Sequence, residues 1–212
     1  MFSSFQVVVS SMKRIPGLSG TQDESPRISL AGYLLVAAPG IQDPVFARSV
    51  CIVVEHSAEQ TIGIMLNRRL VMDTALLWDQ LLEGSTKPAN AVSYVNFGGP
   101  QSGPVLAIHD NQQLAEGGNS QGIYLSAQSD TLKKLAQTTP NHCRLYVGHA
   151  VWRVAQLETE IINGDWHVMP AIPELVFADE HTMWAKGIQA VGNGIVQAAT
   201  GVSKLMTQPL LN

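Results

Sequence analysis

The chain has 212 residues, of which 45% are hydrophobic and 14% charged, and its formal net charge is −4. Such a length fits one large domain with a substantial buried core. Tight binding to nucleic acid requires lysines and arginines that neutralise several phosphates, so the overall charge argues against that class of function. No apolar run approaches the roughly 20 residues that cross a bilayer, which argues against a membrane-spanning protein.

Residues 1–27 are rich in Ser, Gly, Pro and Thr and show no sustained period. We therefore expect a flexible leader, followed by a domain over residues 28–212. The first positively charged residues follow the mildly apolar start instead of preceding it, so no signal peptide is predicted and the expected location is the cytoplasm. Cys51 and Cys143 both lie in apolar, strand-like runs, which favours buried, reduced thiols.

Strands are predicted where runs rich in Val, Ile, Leu and Tyr are separated by Gly, Pro, Asn or Asp. The continuous apolar run over 50–54 is typical of a strand that is covered on both faces. The predicted strands span residues 30–37, 49–55, 62–67, 92–97, 105–109, 122–125 and 144–147.

Helices are predicted between and after these strands, where apolar residues recur at helical spacing. Val154, Leu157 and Ile161 form one such stripe at i, i+3 and i+7, and Gly164 supplies the stop. Because helices and strands are interleaved, we predict a single α/β (α+β) domain built on a mixed sheet. The predicted helices span residues 73–83, 129–137, 154–163, 181–191 and 196–205.

The segment over residues 32–56 holds two apolar runs around a turn-rich loop, and the second run ends in Glu55-His56. The loop carries Asp43-Pro44 and Arg48-Ser49. In these features the segment resembles the opening of the AlgH/YqgE family of small bacterial proteins. Further similarities to the motifs of this family follow in order at residues 63–68, 97–101, 105–109, 122–126, 148–158, 163–166, 177 and 184.

The resemblance implies the family's compact fold, a branched mixed sheet with packed helices, and it points to regulation, because one namesake is described as a transcriptional regulator of polysaccharide synthesis. Three departures lie in one segment. His149 stands where the family has Tyr, and Val151 and Ala155 stand where it has Gly. The two lost glycines imply a backbone without unusual φ angles at those points, so a binding surface there would have a different shape.

Glu55 and His56 are the first candidates for acid–base chemistry. Neighbours on a strand point to opposite faces. These two, however, lie at a predicted strand end before a turn, where a carboxylate and an imidazole can converge for proton transfer or metal binding. The alternative is that Glu55 holds a loop through backbone N–H groups and that His56 caps the sheet edge.

The loop before this strand supplies ligand- or partner-binding candidates. Asp43 before a proline indicates a turn or helix start in which the carboxylate bonds the backbone. Arg48 either pairs internally with Asp43 or Glu55 or binds an anionic ligand through its planar fork. Ser49 lacks the Gly-x-Ser-x-Gly elbow, so a nucleophilic serine is not supported. Asn67 at a later strand end either binds a ligand or belongs to a solvated rim.

Gly98-Gly99-Pro100 is predicted to be a structural turn, since it lacks the spacing of a phosphate-binding loop. The histidines and cysteines show no metal-binding spacing, so no metal or cofactor is predicted.

Trp152 and Gln156 lie at i and i+4 and, with Glu160 at i+8, would form one face of a helix that suits a ligand or partner. The alternative places Trp152 in the core. Glu158, in the family-like motif that Gln156 begins, is also a binding candidate.

Two functions follow. The first is a non-enzymatic, cytoplasmic regulatory or interaction protein that acts indirectly on transcription if at all, because the sequence shows no helix-turn-helix, zinc finger or basic stripe. The second is an enzyme or binder of a small anionic ligand that uses Arg48, Glu55, His56 and His109. The expected partner is therefore an unknown protein or a small anion. A pocket that gathers these groups, with perturbed ionisation, would favour the second function. Groups that are scattered or locked in internal pairs beneath an exposed apolar patch would favour the first.

Overall fold

The computed structural model describes residues 29–70, 95–138 and 142–200, with the side chains of 196–200 left aside. The strands in chain order are β1 (Tyr33–Ala37), β2 (Val50–His56), β3 (Gln60–Met65), β4 (Arg69–Leu70), β5 (Val95–Phe97), β6 (Leu106–His109), β7 (Gly117–Gly118), β8 (Tyr124–Ser126), β9 (Cys143–Val147), β10 (Ala150–Arg153) and β11 (Trp166–Pro170). The helices are α1 (Ser129–Thr138), α2 (Val154–Ile162), α3 (Pro173–Val176) and α4 (Glu180–Thr200).

Within the described ranges the strands form two sheets, not the one mixed sheet expected from the sequence. The first has the order β10-β3-β2-β1-β11, and every neighbouring pair in it is antiparallel. The second has the order β4-β5-β9-β6-β8-β7 and contains one parallel pair, β5 with β9. Strand β1 lies between β2 and β11, so that Leu34 pairs with both Ile52 and Met169.

The core lies in layers because side chains alternate between the two faces of β1 and β2. Leu34 and Ile52 pack toward the second sheet, in one cluster with Ile108. On the opposite face Leu35 packs with Leu157 of α2. The first sheet is thus covered on both sides, as the run 50–54 predicts. Helix α1 covers the outer face of the second sheet through Leu132 and Leu135.

The mixed α/β, single-domain prediction is confirmed, with corrections in its parts. Strands β4, β7, β10 and β11 were not predicted, and α4 is one continuous helix through Gly192 and Gly194 where two helices were expected. The predicted helix over 73–83, the start of the strand over 92–97 and the leader over 1–27 lie outside the described residues.

Candidate functional site

The loop between β1 and β2 is held by its own backbone and by one aromatic anchor. Asp43 Oδ1 accepts the N–H groups of Val45 and Phe46 at 2.8 and 3.0 Å, the bonding that the Asp-Pro pair predicts. The ring of Phe46 lies 5.6 Å from that of Trp152 and 5.8 Å from that of Trp166. The loop is therefore fixed at Asp43 by backbone hydrogen bonds and at Phe46 by aromatic packing.

Arg48 ends this loop with a φ of 55°, in the left-handed region that a residue with a Cβ seldom adopts. Asn67 holds the backbone that follows it, on both sides of Ser49. Its Nδ2 donates to the Arg48 carbonyl at 2.9 Å, and its Oδ1 accepts the Val50 N–H at 3.0 Å. The buried Ser49 hydroxyl donates to the Phe46 carbonyl at 2.7 Å. Asn67 and Ser49 thus shape the loop and offer no free group to a ligand.

The Arg48 side chain is exposed and lies over an indole ring. Its Cζ is 5.6 Å from the centre of the Trp184 ring on α4, within the range of a cation–π contact. Trp184 is itself fixed, because its Nε1 donates to the Ala37 carbonyl at 2.7 Å. In the part of the chain that the structure describes, Arg48 has no carboxylate partner. The expected ion pair with Asp43 or Glu55 is therefore wrong.

Glu55 and His56 do not converge. The register between β2 and β3 shifts between Val53 and Glu55, after which Glu55 pairs with Ile62 and His56 with Thr61. Cross-strand partners share a face, so Glu55 lies on the face that meets the second sheet and His56 on the other. His56 Nδ1 lies 2.8 Å from the Thr61 hydroxyl. The strand runs through both residues, which is why the expected convergence fails.

Glu55 is buried without compensation. The residue is only 8% exposed, and its Oε2 has no hydrogen-bond partner in the described structure. The alternative prediction, that Glu55 holds a loop through backbone N–H groups, is therefore also wrong for this oxygen. A buried carboxylate oxygen without a donor is costly. We therefore expect a neutral side chain at position 55 to be more favourable than the carboxylate.

His109 is fully buried in the second sheet, and its hydrogen bonds are all internal. The Asn111 N–H donates to Nδ1 at 3.2 Å, which assigns the proton to Nε2. Nε2 then donates to the Ser126 hydroxyl at 2.9 Å, and Ser126 donates to the Leu114 carbonyl at 2.6 Å. Burial lowers the pKa of His109 to about 4. The ring is a neutral structural element.

The two cysteines are free thiols. Cys51 is buried and Cys143, opposite His109 on β9, is partly buried. Burial raises the pKa of each thiol to about 12, so neither provides a thiolate.

Trp152 lies in β10 and is 2% exposed, so the predicted helical face through Trp152 and Gln156 is wrong and the tryptophan is a core residue. Gln156 Nε2 donates to Glu160 Oε1 at 2.8 Å, and Glu160 Oε2 accepts the Trp166 Nε1–H at 2.8 Å. Glu158 is exposed on α2. The polar side of α2 thus fixes the ring of Trp166, a core residue.

The Gly98-Gly99-Pro100 segment lies at a junction between the sheets. The Gly98 carbonyl accepts the Met65 N–H, and the Gly98 N–H donates to Val147, each at 2.8 Å. A Cβ on Gly98 would lie 2.2 Å from the Gly148 carbonyl oxygen, and Gly148 itself has a φ of 78°. Only glycine permits so close a crossing of two backbones. Val151 and Ala155, which replace family glycines, lie in β10 and α2, where ordinary φ angles suffice.

A buried network that the sequence did not predict fixes the start of α4. Arg144 donates to the carbonyls of Val176, Phe177 and Ala178 at 3.2, 3.1 and 2.7 Å. Its Nε lies 3.6 Å from Glu180 Oε1.

Arg69 reaches the same carboxylate from outside, with Nη2 3.3 Å from Oε2 of Glu180. Glu180 is one helical turn before Trp184, so this network also sets the position of the ring beneath Arg48. Because Arg69 and Arg144 are both distant from Glu180 in the sequence, no local pattern could have predicted the network.

The predicted loop and acid–base candidates, apart from those around α2, therefore divide into two sets. Asp43, Arg48, Ser49 and Asn67 meet in one loop against α4, while Glu55, His56 and His109 are dispersed over three surfaces of the two sheets. Over the described ranges, no three His, Cys, Asp or Glu side chains are grouped as metal ligands would be. Those ranges also contain no helix that is both long and apolar enough to cross a membrane.

Comparison with known proteins matches residues 34–195 to a family described as AlgH-like. A UPF0301 protein of Nitrobacter hamburgensis is 34% identical over 187 residues, which are 82% of this chain and 85% of that one. A UPF0301 protein of Burkholderia vietnamiensis is 30% identical over 187 residues, covering 84% and 97%.

Two solved structures share the fold. The solution structure of AlgH from Pseudomonas aeruginosa matches 88% of this chain and all of that one with a TM-score of 0.65 at 24% identity. The crystal structure of protein DIP2367 from Corynebacterium diphtheriae matches 80% of this chain and 90% of that one with a TM-score of 0.60 at 27% identity.

Proposed function

This chain belongs to the AlgH-like family, and within it we propose that the protein is a non-enzymatic interaction protein of the bacterial cytoplasm. It regulates through a protein partner and acts on transcription only indirectly, if at all. The supporting observation is the dispersal of the acid–base groups. Catalysis by general acid and base needs its groups within hydrogen-bond reach of one reacting centre.

Each candidate for that chemistry is separated from the others. Glu55 and His56 lie on opposite faces of β2. His109 is in the other sheet and is bonded as a neutral ring. Arg48 lies over Trp184. These positions favour a binding function over acid–base catalysis.

The charge of the chain supports a protein partner over nucleic acid. A net charge of −4 repels a polyanion, and the sequence contains no dense basic run. A small anionic ligand is the second candidate, favoured by the Arg48 guanidinium, which has no carboxylate partner among the described residues.

Affinity capture from native bacterial lysate tests the proposal, with nuclease-treated and untreated samples and mass spectrometry of everything retained. The immobilised wild-type chain is expected to retain a protein in stoichiometric amount, with or without nuclease. Retention that disappears with nuclease would contradict a protein partner. If no macromolecule is retained, the small-ligand alternative replaces this function.

A further inference from the structure

We propose that an acidic segment of the protein partner docks on the surface formed by Arg48, Arg68, Arg69 and Trp184, with a carboxylate bound by Arg48. This surface is called the Arg48 surface below. The inference rests on the proposed function, since it names the site and the chemistry of that interaction.

Contacts of each side chain, or of the residues beside it, bring the three arginines and the tryptophan close together. Arg68 donates to the carbonyl of Ala47, the residue before Arg48. Arg69 pairs with Glu180, one helical turn before Trp184, and its side chain is 47% exposed. Arg48 lies over the Trp184 ring. Arg48 from the loop before β2 and Arg68 and Arg69 from the segment after β3 therefore lie beside the start of α4, which contributes Trp184.

Three carboxylates near this surface, among the described residues, already accept hydrogen bonds or ion pairs within the protein. Asp43 Oδ1 accepts two backbone N–H groups of its own loop. Asp179 Oδ1 accepts the His181 N–H at 3.0 Å. Glu180 is bonded by Arg69 and Arg144, and its side chain is 3% exposed. None of the three neutralises Arg48, although α4 also carries exposed Lys186.

Arg48 is held in place before any partner arrives. Its backbone is fixed in the left-handed region, and Asn67 bonds both sides of the turn. An exposed arginine ordinarily loses side-chain entropy when it binds, but here the indole contact already limits its rotamers. Left-handed backbone at a residue with a Cβ costs about 1 kcal/mol and is typical of sites where geometry serves function.

The chemistry of the surface favours an acidic peptide. A guanidinium whose face lies on an aromatic ring keeps the N–H donors of its rim available, and two of them match the two oxygens of a carboxylate. Trp184 adds an apolar surface beside the charge. Arginine and tryptophan are the residue types that dominate binding energy at protein interfaces. Three arginines in a chain of net charge −4 are too few for tight binding to a phosphate backbone.

The test uses the full chain, labelled with ¹⁵N, and poly-L-glutamate as the defined acidic probe. Titration is expected to shift the Arg48 amide and the Trp184 indole resonance, and sodium chloride is expected to weaken binding. Arg48→Ala should weaken binding about tenfold or more, the loss typical of a central interface arginine. Arg48→Lys should be intermediate, because it keeps the charge but lacks the planar fork.

Arg153→Ala is the matched control, because Arg153 is also exposed and its loss removes the same charge from β10. It should leave binding unchanged. Equal losses in the two alanine variants would overturn the proposal, since they would indicate unspecific charge attraction. Unshifted Arg48 and Trp184 resonances would also overturn it.

Inorganic phosphate and a short DNA duplex are the remaining probes. Binding of either to the Arg48 surface as strongly as poly-L-glutamate would replace the acidic peptide with that anion. Capture of the partner from lysate distinguishes a failure of this inference from a failure of the proposed function. If wild type and Arg48→Ala retain it equally, the function stands and the Arg48 surface is wrong. If wild type retains no protein, the function itself fails.

Discussion

The second sheet and the loop before β2 use their polar residues in opposite ways. In the second sheet, His109 is buried and Arg144 is partly buried, and both bond partners within the protein. In the loop, Asp43, Ser49 and Asn67 bond the backbone, but the Arg48 side chain ends over a ring and has no carboxylate partner among the described residues. Nearby in the chain, Glu55 is buried, and no described residue donates to its Oε2.

The difference shows that residue type alone does not indicate a site. His109 carries a group suited to proton transfer, yet both of its ring nitrogens are hydrogen-bonded within the protein. Arg48 carries a group common on any surface, yet the fold fixes it and leaves it available. One residue departs from this division, because the fully buried Asn96 of the second sheet has no partner for either side-chain atom in the described structure.

The largest expected effect on stability comes from removing the Arg144 guanidinium, which is bonded within the protein. Arg144→Met should lower the free energy of unfolding by about 4 kcal/mol, because three carbonyls lose their donor and Glu180 loses a buried partner. Denaturant unfolding measures it. Arg153→Met is the control and should change stability by less than about 0.5 kcal/mol. A similarly small effect at Arg144 would mean that the network carries no net stability.

His109 should make stability depend on pH. Its folded pKa of about 4 lies below the ordinary 6.5. The unfolded chain therefore binds the proton first, and the contribution of His109 is present above pH 6.5 and is lost as the pH falls toward 4. Its size is at most roughly 3 kcal/mol. The difference in unfolding free energy between wild type and His109→Gln should shrink over that window. A constant difference would contradict the neutral, buried ring.

Removing the charge of Glu55 should stabilise the protein. Glu55→Gln replaces a buried carboxylate that lacks a donor with a neutral group of the same shape, and we expect a gain of about 2 kcal/mol near pH 7. Thermal or denaturant unfolding gives the value. Glu158→Gln, on the exposed side of α2, should be nearly neutral. Destabilisation by Glu55→Gln would show that this carboxylate has a partner.

The smallest effect concerns the backbone of Arg48. Arg48→Gly should be more stable than Arg48→Ala by about 1 kcal/mol, because glycine adopts a φ of 55° without strain. Arg153 has a φ of −68°, so there the order should reverse and alanine should be the more stable. Unfolding of the four variants measures both differences. The same order at both positions would remove the argument for strain at Arg48.

Local signals in the sequence predicted much of this fold. The apolar runs of β1, β2 and β6 and the turn at Asp43 depend on neighbours in the chain, and so they were found. Strand β10 was missed because its four residues lead directly into the apolar stripe of α2, and β11 because it is short and carries His167 among its residues.

The site was harder to predict because its contacts are not local. Arg48 meets Trp184, and Arg69 meets Glu180, across most of the chain. No rule of residue spacing connects positions that are so far apart in the sequence. Glu55 was misplaced for a different reason, since the register shift beside Val53 that sets its face leaves no mark in the sequence.

The position of β1 has a consequence for synthesis. Strand β1 lies between β2 and the edge strand β11 in the first sheet, and Tyr33 pairs with Pro170 of β11. A nascent chain on the ribosome can form β1, β2 and β3 early, but one edge of β1 stays bare until most of the protein has emerged. Sheets closed by such distant segments fold slowly, and their bare edges can aggregate in the meantime. Chaperone demand during translation should therefore depend on how soon β11 follows.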